Sequence, residues 1–101
     1  MDNRPNLQKL LEKTIESRNV YFQPPPSLRM SYPAIVYSRA TIKTIYADGI
    51  PYMQGVAYKL VVIDKNPDSK LVKEIAKLPM CKHNSHYVSD NLYHDAFTIY
   101  Y

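Results

Sequence analysis

The residue types that could do chemistry are gathered in one stretch, CKHNSHYVSDNLYHD, residues 81–95. It holds the only cysteine, Cys81, all three histidines, His83, His86 and His94, and the aspartates Asp90 and Asp95. Imidazole, thiolate and carboxylate are the usual ligands of zinc and iron, so a metal or catalytic site is the first reading to weigh. Spacing decides against it. Neither HExxH nor a paired CxxC is present, and Cys81, His83 and His86 fall irregularly in a loop or edge strand. If LYHDAFTIYY is a strand, Leu92, His94, Ala96, Thr98 and Tyr100 share one face, while Tyr93, Asp95, Phe97, Ile99 and Tyr101 share the other. His94 and Asp95 then point apart. The plain reading is a polar edge strand with a turn, no metal, and an ordinary thiol at Cys81.

Other chemistries fare no better. No GxSxG elbow or cysteine-protease signature surrounds any Ser or Cys, and nine scattered acids offer no evident carboxylate pair. Gly49 and Gly55, the only glycines, lie in no phosphate-cradling fingerprint. A net charge of +4 from scattered residues attracts phosphate only weakly. The ten tyrosines could stack on bases, but without an RNP-type motif or a basic stripe they read as core and protein-contact residues. A binding protein without enzymatic activity or cofactor is expected.

The elements that must position these residues follow from periodicity. Leu7, Leu10, Leu11, Thr14, Ile15 and Arg18 draw one side of a helix over residues 5–18, with Gln8, Lys9, Glu12, Lys13 and Glu16 on its polar face. Pro5 suits its first turn, and Asn3 or Arg4 would cap it. VYF at 20–22 has strand character, and QPPPS ends it in a stiff loop that can project. Strand pieces follow at Ala34 to Arg39 and Ile42 to Tyr46. ADGIPYMQG reads as a turn or longer hairpin connection, tightest at Asp48-Gly49, and VAYKLVVI at 56–63 as a central strand. For a second helix Asn66 would cap, Pro67 would take the first position, and Asp68 would face the dipole. Leu71, Val72, Ile75 and Leu78 form its apolar stripe, and Pro79 ends it. Two last strands, 82–88 and 92–101, flank the turn SDN.

Helices grouped against a small antiparallel or mixed sheet make an α+β domain, and 101 residues suit one domain, 1–101. The expected core is Leu11, Ile15, Val36, Leu60, Val62, Leu71, Ile75, Leu78 and Phe97. No apolar run approaches the roughly 20 residues of a membrane span. MDNRPNLQKL lacks the features of a signal peptide, so a soluble protein of a reduced, intracellular setting is expected.

Taken in order, SYPAIVYSRA, TIYADGIPYMQGVAYKLVVIDKNPDS, IAKLPMC and HYVSDNLYHDAFTIYY resemble a family of small tail-completion, or tail-terminator, proteins of long-tailed, siphophage-type bacteriophages. The resemblance spans residues 20–101 and is most specific in YPAIVY, IDKNPDS and DNLYHDAFTIYY, while the N-terminal helix matches only in character. It implies a terminator-like sheet flanked by helices and a hexameric ring that caps the tail tube. The implied partners are further copies of the chain, the major tail tube protein and the head connector, with DNA passing through the lumen without sequence-specific binding and no membrane. The implied place is the virion neck, after assembly in the bacterial cytoplasm. The motif implies no metal ligand at Asp90, Asn91 or His94, which serve the turn and the last strand.

Two connections offer contact surface: Pro25, Leu28 and Met30 in QPPPSLRM, and Tyr46, Ile50, Tyr52 and Met53 in YADGIPYMQG. The competing arrangement folds Tyr46 and Tyr52 back onto their own sheet. A head-closure (stopper) protein of the same neck is the alternative function, and a small nucleic-acid-binding module is a more distant one.

Overall fold

The computed structural model describes residues 4–47 and 50–101, and the side chains of residues 41–55 lie outside that description. The chain runs α1 (Arg4–Ile15), β1 (Val20–Phe22), β2 (Ala34–Ala47), β3 (Ile50–Asp64), α2 (Lys70–Ala76), β4 (Cys81–Ser89) and β5 (Leu92–Tyr100). The strands form one mixed sheet in the order β1-β2-β3-β5-β4, parallel only between β1 and β2. This is the expected α+β fold. One core cluster joins Leu7 and Leu11 of α1 and Ile75 of α2 to Ile35, Tyr37, Tyr58, Leu60, Val62, Phe97 and Ile99 of the sheet. Both helices therefore cover the same face.

Local chemistry explains where the elements end. Helix α1 stops three residues short of the expected Arg18 because Glu16 turns left-handed, φ 57°, and the Ser17 N–H reaches back to the Glu12 carbonyl at 3.1 Å. That is a Schellman stop with a glutamate where glycine is usual. Arg4 is the first helical residue rather than a cap, and Asn3 lies outside the described residues. Gln8, expected on the polar face, is half-buried. It accepts a hydrogen bond from the Tyr37 hydroxyl and donates to the Val20 carbonyl at 3.1 Å, pinning α1 to β1 and β2.

Helix α2 starts later than expected. The Asp64 carboxylate accepts the Asn66 N–H at 3.0 Å, and the Asn66 side chain accepts the Asp68 N–H at 2.9 Å. These successive Asx turns hold residues 64–68 outside the helix, so Ser69, not Asn66, occupies the N-cap, without a side-chain capping bond. Pro67 and Asp68 are turn residues.

Strand parity corrects the core. Val36 is half-buried and outside the cluster, because its neighbours Ile35 and Tyr37 face the helices. Leu11, Leu60, Val62, Ile75 and Phe97 are fully buried, while Ile15, Leu71 and Leu78 pack at the margin. The sequence reading passed over Tyr37 and Tyr58, each 1% exposed, which with Phe22 form a row of rings 4.9 and 6.0 Å apart.

The largest correction concerns residues 40–55. The two pieces expected before residue 47 are one strand carrying an irregularity between Arg39 and Thr41, and IPYMQG is strand rather than connection. The pairing of β2 with β3 runs out to Ala47↔Ile50, and Asp48-Gly49 lies outside the described residues. β1 pairs only as far as Tyr37, and β5 as far as Ala57, followed by one backbone bond from the Tyr101 N–H to the Val56 carbonyl at 3.0 Å. Beyond these points, among the described residues, β2 and β3 pair only with each other. The result is a two-stranded ribbon about 20 Å long at ~3.4 Å per residue, and the molecule measures 49 × 24 × 23 Å.

Candidate functional site

The chemistry-bearing stretch forms the β4–β5 hairpin. Asp90 and Asn91 take φ 54° and 62°, the left-handed pair that a two-residue hairpin turn requires, so they serve through backbone conformation. His94, on the strand rather than the loop, meets the Leu92 carbonyl at 3.0 Å and stacks on Tyr87, 4.8 Å between ring centres. It orders the start of β5.

A bulge then does what the sequence did not disclose. The register of β4 shifts between His83 and Ser85, where Asn84 is the extra residue, bringing His83 and His86 to one face. Asp95 lies across from His86, and its Oδ1 meets His83 Nε2 and His86 Nδ1, each at 3.0 Å. His94 and Asp95 do point apart, but Asp95 has found the other two histidines. Asp95 is 8% exposed, while the two imidazole side chains are 43% and 48% exposed. His83 also sets its edge against Phe97, 5.1 Å between ring centres.

This arrangement can hold a buried charge. Each neutral imidazole has one N–H, and when both point at Oδ1 they compensate the desolvation of a buried carboxylate and tie the edge strand to its neighbour. Among the described residues, no group of three or more His, Cys, Asp or Glu side chains is arranged to hold a metal ion. Burial pushes the Cys81 thiol above its ordinary pKa, which disfavours the thiolate needed by a nucleophile or ligand.

Beside the cluster is an open cavity of about 240 Å³ lined by Pro67, Asp68, Ser69, Val72, Lys73, His86 and Asp95. Ser69 Oγ is buried there without a hydrogen-bond partner among the described residues.

The expected contact residues divide in two. Pro25 and Leu28 are exposed in a turn closed by the Leu28 N–H on the Pro25 carbonyl at 3.0 Å, and Met30 is half-buried. Tyr46, Ile50, Tyr52 and Met53 occupy ribbon positions whose side chains lie outside the described residues. The sequence reading missed Met80, Tyr87 and Val88, exposed by 65%, 44% and 60% on or beside β4. Lys82 and the Asn84 bulge guard that sheet edge against strand addition.

No known family, curated protein or solved structure matches the chain. No helix among the described residues is long and apolar enough to cross a membrane.

Proposed function

We propose that this chain is a structural phage assembly protein that caps the tail tube and helps join tail to head. The observation that carries the reading is the β2–β3 ribbon, whose strands reach beyond both of their neighbours in the sheet. A two-stranded hairpin is marginally stable in water, so a ribbon carrying three Ile, two Tyr and Met53 gains from a surface to lie on. The resemblance of residues 20–101 to tail-terminator proteins names that surface. It is a neighbouring copy or the tail tube.

In this reading the protein works by binding, without turnover, cofactor or membrane. One face of a hexameric ring copies enough of the tube interface to attach, and the other offers no further site, so polymerisation stops. The ribbon and the Pro25–Leu28–Met30 loop make the contacts. DNA passes through the lumen, and the head connector docks above.

Electron microscopy of lysates made without the protein tests this. The reading expects abnormally long tails separate from heads. Filled heads without any neck extension assign the chain to head closure, and normal particles remove the assembly role.

A further inference from the structure

Both helices cover one face of the sheet, and strand register shows what the other face carries. Lys59, Thr98 and Lys82 lie in one row across β3, β5 and β4, and His94 pairs with Tyr87 in a second row, two residues beyond Ala96 along the strand from Thr98. Tyr100 stands on the same face at the other side of the lysine row. The charge on this face has one sign. Lys59 and Lys82 are exposed, and neither makes an ion pair among the described residues. The described acids lie elsewhere. Glu12 and Glu16 belong to α1 and its stop, Asp68 and Glu74 to the approach to α2 and α2 itself, and Asp90 to the hairpin turn, while Asp64 and Asp95 share the parity of Val62 and Phe97 on the helix side. Asp2 and Asp48 lie outside the described residues.

From this placement we infer that the helix-free face binds single-stranded nucleic acid, independently of the assembly role. Such a strand needs cations for its phosphates and open ring faces for its bases. Lys59 and Lys82 stand two strands apart, about 10 Å at ~4.8 Å per strand. Thr98, between them, accepts a hydrogen bond from the Asn84 side-chain N–H at 2.7 Å, which leaves its own O–H to donate. Tyr100 lies about 7 Å along the sheet to one side of this row and the Tyr87 and His94 rings about 14 Å to the other, at ~3.4 Å per residue. His94 stacks on one ring face of Tyr87, and β4 is the edge of the sheet, so the other ring face is open to a base. Tyr87 and Tyr100 are 44% and 38% exposed. Between the rings and the lysines the floor is Val61 and Ala96, whose short side chains let a sugar-phosphate backbone lie close. Two lysines are too few to hold a duplex, whose bases are stacked on each other and closed to the tyrosines. An acidic peptide would meet the lysines and leave the ring faces unused.

Fluorescence anisotropy of labelled decathymidylate, titrated with the intact chain, tests the face. The proposal expects saturable binding with a Kd of about 1–100 µM near physiological salt, and log K falling against log[salt] with a slope of about −1.4, ~0.7 for each of two phosphate contacts. A labelled GC-rich decamer duplex should bind at least about fivefold more weakly, because it offers no base to the rings. Lys59→Gln/Lys82→Gln, at two exposed positions, should weaken binding and flatten the salt slope. Tyr87→Ala should weaken binding at least about fivefold and leave the slope in place. Lys9→Gln/Lys13→Gln on α1 should change neither. If Tyr87→Ala does not fold, amide NMR shifts of the wild-type chain decide, and they should centre on Val61, Ala96 and Thr98. No saturable binding at about 0.5 mM protein, five times the weakest expected Kd, would overturn the proposal. So would duplex binding as tight as the single strand's, unchanged affinity in the folded double lysine variant, shifts centred on the helices, or a dimer of the chain that buries Tyr87 and excludes the oligonucleotide.

Discussion

Asp95 carries a charge in a position that water barely reaches, and its stability rests on two imidazoles. Replacing both His83 and His86 with Ala removes both donors at 3.0 Å. The loss should be about 1.5–3 kcal/mol in urea unfolding, toward the lower figure because the vacated edge admits water. Asp95→Asn, which keeps an acceptor oxygen, should cost less. Equal stability of the double histidine variant and the wild type would show the cluster to be ornamental. Tyr37→Phe should cost about 1–2 kcal/mol by depriving the half-buried Gln8 of a donor. Burial raises the pKa of the Cys81 thiol, so its contribution is fully present below the unfolded thiol's pKa and is lost as pH rises through the higher pKa of the folded thiol. Cys81→Ser should flatten the alkaline loss of stability. At this scale the sequence displayed the residue types but not their meeting. Alternation along β5 correctly separated His94 from Asp95, yet the bulge at Asn84 that aligns His83 with His86 leaves no mark in residue type.

Elements were most legible where a period or a turn pair was long and clean. The α1 stripe, the β3 strand and the turn before β5 could be read from spacing alone. Their ends could not, because ends depend on competing local hydrogen bonds. Asn66 looks like a cap in sequence, but its side chain is spent on Asp68. Glu16 looks helical but takes the left-handed stop. Glu16→Gly should therefore stabilise the protein by roughly 1 kcal/mol, the order of the left-handed penalty relieved. A lower melting temperature in that variant would contradict the assignment of the stop. The ribbon was misread because Asp48, Gly49, Pro51 and Gly55 resemble a long connection, whereas strand pairing continues through 51 and 55. Pro51 is tolerable because, among the described residues, β3 pairs there only with β2.

The whole molecule divides into a body with its own core and a ribbon that extends beyond it, and the two should respond differently to substitution. Leu60→Ala or Ile75→Ala, both at fully buried positions, should cost about 2–5 kcal/mol, much of the stability of a small domain. Wild-type thermal unfolding of either variant would contradict the core. The α+β class was legible because it needs only element types and order, whereas the contact surface depends on how far two strands outrun their neighbours. In the proposed function the ribbon is the assembly contact. A direct test adds purified Ile50→Asp/Met53→Asp protein to extracts of phage lacking the chain and counts joined particles by electron microscopy. The prediction is a folded, soluble protein with wild-type melting that fails to cap tails or restore joining. Restoration at wild-type efficiency would contradict the claim.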